Sequence, residues 1–221
     1  GAAGGDATTP GKFGGHGAYI QGDFTVTPGQ VLNVMVGEAG ETANYTAGGG
    51  GGSFIWDDAS STLYIAAGGG GGCSAHTDGI NASTTEDGTN GNAASDGAGT
   101  AGNGGVAPSS LEYASGGAGW NTDGNNGTLH GCTSNSTGGQ RPLDGGAGGS
   151  YGGTTGYVGS GGYGGGGGGN GKCGSVGGGG GGGYSGGGPG VSTGSSSVYN
   201  GGGGGGSFNS GTSSVSTPGI G

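Results

Sequence analysis

Of 221 residues, 76 are glycine and only 27% are hydrophobic, so a chain long enough for one large domain or two small ones has little material for an oily core. Glycine does not recur at every third position and proline numbers only six, which excludes a collagen triple helix. Three Lys plus Arg against thirteen Asp plus Glu, a net charge of -10, leave no cationic stripe for phosphates, so neither nucleic acid nor an anionic lipid surface is an expected partner.

The first elements in the chain are short strands. Phe13, Ala18-Tyr19-Ile20 and Phe24-Thr25-Val26 carry strand-type residues. Thr27-Pro28-Gly29-Gln30 is a turn, because Pro presets φ at the second position and Gly accepts positive φ at the third. From Val31 to Val36, Leu32, Val34 and Val36 share one face, with Val31, Asn33 and Met35 on the other. This predicts a strand buried on one side and partly covered on the other. Phe54-Ile55-Trp56 and Thr62-Leu63-Tyr64-Ile65 form a hairpin through the polar turn Asp57 to Ser61. Residues 13–67 thus form the main strand region of a single domain, 1–221, that is mainly β with extensive irregular structure and almost no α-helix.

Residues 74–160 are rich in Ser, Thr, Asn and Asp, with apolar anchors at Val106, Leu111, Tyr113, Trp120 and Leu143, and read as long loops. Glycine tracts occupy Gly48 to Gly52, Gly68 to Gly72, Gly164 to Gly169, Gly177 to Gly183 and Gly201 to Gly206; the last three make 161–221 the glycine-dominated region. Two tracts end alike, in Ser53-Phe54 and Ser207-Phe208, which suggests related roles.

Ordering a backbone residue costs roughly 1–2 kcal/mol, and glycine loses the most freedom. Composition alone therefore makes disorder the competing reading. Against it stand a charged fraction of only 7% and the strand patterns between the tracts. A run of glycines has no side chains to bury. An extended three-fold helix of the polyproline type points every N–H and C=O outward, so several such helices can bond one another laterally. The expectation is an inserted bundle of polyglycine-II helices. At a net 0.5–1.5 kcal/mol per hydrogen bond, only a cooperative array offsets the ordering cost.

A transmembrane helix needs about 20 mainly apolar residues, and clusters such as Leu63 to Ala67 are far shorter, so no membrane insertion is expected. The start Gly1-Ala2-Ala3-Gly4-Gly5 has neither Met nor a signal-peptide pattern, as for a processed product or an excerpt.

Cys73, Cys132 and Cys173 lack metal-ligand spacing, and one disulfide is their expected use, with Cys132 and Cys173 as the chosen pair. Cys73 is then either a buried free thiol or the source of an intermolecular bond. Asn44, Asn81, Asn126 and Asn135 open Asn-x-Ser/Thr sequons and are candidate N-glycosylation sites, although sequence this rich in Asn, Ser and Thr also generates sequons by chance. Gly166 to Cys173 nearly forms a phosphate loop, but Cys stands where Ser or Thr would hold magnesium. His16, His76 and His130 have no matching nucleophile motif. The loops Asp87 to Asn92 and Asn121 to Asn125 space oxygen donors as calcium loops do, yet neither ends in a bidentate Glu, and Asx turns explain them. No catalytic residue, metal site or cofactor is expected.

The segments Gly14-Gly15-His16-Gly17-Ala18-Tyr19-Ile20, Phe24 through Gly37, Leu63-Tyr64-Ile65-Ala66-Ala67 running into Gly68 to Gly72, Gly116-Gly117-Ala118-Gly119-Trp120-Asn121, Gly164 to Cys173 and Gly177 to Tyr184 together resemble, in that order, the glycine-rich extracellular domain of the anaplastic lymphoma kinase and leukocyte tyrosine kinase receptors. The resemblance implies a small β-sandwich similar to tumour necrosis factor with inserted polyglycine helices in a hexagonal array. It also implies the Cys132 to Cys173 pairing. Domains of this type also occur in secreted proteins. The expected function is a secreted or cell-surface, non-enzymatic structural or adhesive protein, the subunit of an extracellular filament or matrix. Its expected partners are itself, as a homo-oligomer, or other extracellular proteins and glycans. A receptor-type ligand-binding module taking a basic partner is the alternative, with ice binding below it.

Overall fold

The computed structural model describes residues 1–9, 11–92, 94, 97–106, 112–128, 135–171, 177–192 and 199–219. Within them the chain is mainly β with almost no helix: ten strands in four sheets and one short 3-10 turn, Pro142–Asp144. The strands are β1 (Tyr19–Asp23), β2 (Leu32–Met35), β3 (Ser53–Asp57), β4 (Leu63–Ala67), β5 (Glu112–Tyr113), β6 (Gly152–Gly153), β7 (Asn170–Gly171), β8 (Val191–Ser192), β9 (Phe208–Asn209) and β10 (Thr212–Thr217). The largest sheet has the order β2-β3-β4-β9, antiparallel throughout. Strand β1 pairs antiparallel with β10 from the far end of the chain. The short pairs β5-β8 and β6-β7 are antiparallel and parallel respectively.

Local chemistry sets the main sheet. In the turn before β2, Gln30 N donates to Thr27 O at 3.1 Å and Gly29 sits at φ 89°. The β3-β4 hairpin closes on Asp57, whose Oδ1 accepts from Ser60 N at 2.8 Å and Ser60 Oγ at 2.7 Å. Gln30 Nε2 then ties the two turns together, donating to Asp57 Oδ2 and to the Tyr64 hydroxyl, both at 2.7 Å. A register shift between Ile55 and Trp56 lets Leu63 and Ala66, three residues apart, both reach the core.

Two expectations change. Phe13 and Phe24 to Val26 lie outside the strands: Phe13 is 65% exposed, and the Phe24 ring packs edge-on against Tyr64 at 5.4 Å after a register irregularity between Gln21 and Asp23 ends β1. In β2 only Met35 is buried; Leu32, Val34 and Val36 face outward, Val34 and Val36 at 64% and 69% exposure.

The glycine tracts join no large sheet. Their backbone groups bond to other segments, and the partner repeats every third residue. Along 177–184, the N–H groups of Gly178, Gly181 and Tyr184 donate to Asn200, Gly203 and Gly206. Those of Gly179 and Gly182 donate to Ala47 and Gly50, and those of Gly180 and Gly183 to Ser115 and Ala118. The carbonyls accept on three further sides: Gly178 and Gly181 from Gly190 and Gly187, Gly179 and Gly182 from Gly72 and Gly69, Gly177 and Gly180 from Asn170 and Gly167. These bonds measure 2.7–3.1 Å. Neighbours reached by donation run parallel to this tract, and those reached by acceptance run antiparallel. The tracts 47–52 and 68–73 have the same environment, bonded on every side to segments that include the residues 1–5 and 14–18.

Close approach explains the composition. A Cβ on Gly181 would overlap the Gly69 carbonyl, and one on Gly69 the Gly50 carbonyl. Those obstacles are backbone held in its own bonds and cannot swing aside.

Four of the five tracts, and the short run 116–119, have an anchor at one end. Phe54 follows the tract ending at Gly52, Phe208 the one ending at Gly206, Tyr184 the one ending at Gly183 and Trp120 the one ending at Gly119, while Ala66 precedes Gly68. All five meet in or against one core with Met35, Leu63 and Trp56. Trp120 lies 6.1 Å from Phe54 and 5.8 Å from Trp56, and Tyr184 stacks on Phe208 at 4.9 Å. The core therefore fixes where those glycine segments start or stop, which backbone bonding with a three-residue repeat cannot do alone.

Candidate functional site

The polar segments between the tracts act as clamps on the array. Thr89 N donates to Gly204 O at 2.8 Å, and Thr89 Oγ1 accepts from Gly204 N at 2.7 Å, a reciprocal pair. Asn92 N donates to Gly201 O, and its side-chain amide donates to Asp78 O. Asn90 Oδ1 accepts from Ala98 N. Thr89, Asn90 and Asn92 of the oxygen-spaced loop thus bond to the backbone of distant segments rather than closing local Asx turns. In the second such loop, Asp123 Oδ1 accepts from Arg141 N at 2.8 Å, and Asn121 Nδ2 donates to Ala101 O.

The near phosphate loop has no free cradle of amides. The N–H groups of Gly166, Gly167, Gly168, Gly169 and Asn170 go to Gly162, Gly180, Thr137, Gly159 and Gly177. Lys172 and Cys173, which close that motif, lie outside the described residues. His76 packs edge-on against Tyr199 at 4.6 Å, and His16 is separately held by its backbone, its N–H donating to Asn81 Oδ1. His130 and Leu111 lie outside the described residues, as do Cys132 and the proposed disulfide. Among the described residues, no group of three His, Cys, Asp or Glu is placed to hold a metal ion. No helix there is long and apolar enough to cross a membrane.

Cys73 carries a free thiol and is fully buried beside Ala7 and Ala47. Burial, helped by the nearby charges of Asp6 and Asp78, pushes its pKa up to about 12. In this position the side chain acts as a small apolar filler at the end of a glycine segment: its own N–H and C=O bond to Gly5 and Ala47.

All four sequon asparagines are exposed. Asn44 and Asn126 accept through Oδ1, from Thr8 Oγ1 and Gly138 N, and a glycan linkage does not use that atom. Asn81 differs. Its Nδ2, the atom a glycan would take, donates to Gly219 O at 2.7 Å. Asn135 also makes interactions of its own.

Lys12 pairs with Asp78 at 3.8 Å and Arg141 makes a two-pronged pair with Asp144, Nε to Oδ2 at 2.7 Å and Nη2 to Oδ1 at 3.1 Å. The Arg141 hydrogen bonds hold the Asp144 carboxyl below its usual range. An open cleft of about 490 Å³ lies between the turn Thr27 to Val31 and the turn Asp57 to Ala59. Its one buried carboxylate, Asp57, is already bonded to Gln30 and Ser60, which lower its pKa. Away from the cleft, Tyr45 stacks on Tyr157 at 5.4 Å, with Tyr45 40% exposed.

These features describe surfaces and packing; the described histidines and carboxylates do not converge on a shared reaction centre. Part of 74–160, read from sequence as loops, is the surprise: Ile80, Ala82 and Ser115 to Ala118 run among the glycine segments as members of the array. Their only sequence signal is that, Ile80 apart, small residues sit where the backbone is approached closely. Compared with known proteins, the chain matches no protein-family model and no curated protein.

Proposed function

We propose that this chain is a secreted or cell-surface structural or adhesive module, without enzymatic activity, whose glycine segments pack as polyglycine-II helices inserted into a small β-sandwich. The observation that carries the reading is the three-residue repeat of partners around 177–184, with parallel and antiparallel neighbours on all sides. A three-fold extended helix directs its peptide groups outward at that period. Such an array is stiff because its hydrogen bonds run between chain segments in every lateral direction. A protein built this way serves as a spacer, a filament or matrix subunit, or a platform that holds loops apart.

The resemblance to receptor glycine-rich domains supports a second reading, a ligand-binding module. The net charge of -10, with Lys12 and Arg141 both engaged in internal ion pairs, favours a basic protein partner in that case.

Hydrogen exchange resolved at single amides tests the scaffold. The N–H groups of Gly69, Gly72, Gly181 and Gly182 are expected to exchange as slowly as those of β3, and exchange at free-peptide rates would sink the reading. Electron microscopy and surface-binding assays of the native protein then separate the roles: filaments or adhesion favour the structural role, salt-sensitive capture of a basic protein the ligand-binding one.

A further inference from the structure

Strand β2 is the outer strand of the β2-β3-β4-β9 sheet, with β3 on one side and, among the described residues, no strand on the other. Asp58 N donates to Val31 O at 3.0 Å, and Gly37 N donates to Ser53 Oγ at 3.0 Å. In an antiparallel ladder this turns the peptide groups of Val31, Asn33 and Met35 toward β3 and those of Leu32, Val34 and Val36 toward the open edge. All three are exposed apolar residues, at 37%, 64% and 69%, and Val31 beside them is exposed at 62%. Natural edges are blunted by lysine, proline or a bulge. None of these interrupts 31–36, and those six residues are uncharged in a chain of net charge -10.

We propose that β2 is a dimerisation edge, at which two copies pair antiparallel with Val34 opposite Val34 of the second copy. The pattern is self-complementary about that residue. Leu32 then faces Val36 of the second copy and Val36 faces its Leu32, so every outward peptide group from 32 to 36 gains a partner and the exposed apolar side chains meet across the seam. The ladder stops at Glu38, whose N–H is taken by Tyr163 O. In this register Glu38 lies across from Gln30 of the second copy, so the two Glu38 carboxylates are not set against each other. Strands β1 and β10 also have an open edge, but β1 carries Asp23 and β10 is built of Ser and Thr around Val215. The pairing assigns the self-association in the structural reading to one strand and rests on that reading.

Sedimentation of the full chain from low micromolar to near-millimolar concentration is expected to show a reversible dimer. Val34→Lys sets two ammonium groups against each other and weakens the dimer by about tenfold or more. The site is exposed, so the fold is expected to persist, as slow exchange at Gly181 and Gly182 checks. A mixture of Leu32→Cys and Val36→Cys chains is expected to form an interchain disulfide between those positions, identified by peptide mapping. Leu32→Cys alone does not, because the two copies of position 32 lie about 13 Å apart at about 3.3 Å per residue. A monomer at all concentrations, a dimer indifferent to Val34→Lys, or a heterologous protein found seated on β2 overturns the proposal. If the chain stays monomeric while the glycine amides remain protected, the dimer is refuted and the scaffold reading survives; fast glycine exchange sinks that reading instead.

Discussion

The four-stranded sheet and the glycine array are joined in one molecule but are held by opposite means. In the sheet, Phe54, Leu63, Ala66, Met35 and Trp120 exclude water with their side chains, and the backbone ladder follows. In the glycine tracts of the array no side chain is available, and peptide groups bond to neighbours on several sides. The contrast teaches that burial here has two currencies, and that substitutions have opposite signs in them: the sheet is harmed by losing atoms, the array by gaining them.

Gly181→Val presses this contrast hardest. Its Cβ overlaps the Gly69 carbonyl, and the surrounding backbone cannot yield without breaking its own bonds. A loss of about 3 kcal/mol or more is expected, read as failure to fold or as a large drop in thermal midpoint. A mild effect would mean that the array is loose. Phe54→Ala removes the most buried large side chain of the shared core, 1% exposed, and is expected to cost about 3–5 kcal/mol in a denaturant titration. If sheet and array are coupled through the anchors, that substitution also speeds exchange at Gly50 and Gly69; if only the sheet amides respond, the coupling is absent.

Smaller effects sharpen the same comparison at the turns. Gly11 also sits at positive φ, 79°, but a Cβ there meets nothing within 4 Å. Gly11→Ala is therefore expected to cost only about 1 kcal/mol, the conformational penalty without the clash, which separates glycine used as a turn residue from glycine used for close approach. Asp57 adds a pH signature. Gln30 and Ser60 hold its folded-state pKa below 3.8, so its contribution is present above that value and is lost as pH falls through the lower, folded-state value. Asp57→Asn is expected to lower stability at neutral pH slightly and to flatten the loss of stability on acidification, as thermal unfolding across a pH series would show.

The turn at Pro28 and the β3-β4 hairpin were legible because side-chain identity dictates them locally, through the proline ring, Gly29 and the carboxylate of Asp57. The open face of β2 was not. Alternation reveals two faces, but whether anything covers Leu32, Val34 and Val36 depends on what the rest of the chain does. Cys73 illustrates the same boundary at the level of a single group: the sequence left a buried free thiol and the source of an intermolecular bond both open, and only its position beside Ala7 and Ala47 marks it as a filler.

From the residues alone it followed that the chain is β-rich and nearly free of helix, and that its glycine tracts need lateral partners if they are ordered. Which tract neighbours which was decided in three dimensions, because glycine has no side chain through which one run differs from another. Specificity comes from the ends: the aromatic residues that close the tracts meet in one core, and their meeting sets the register of backbones that would otherwise slide.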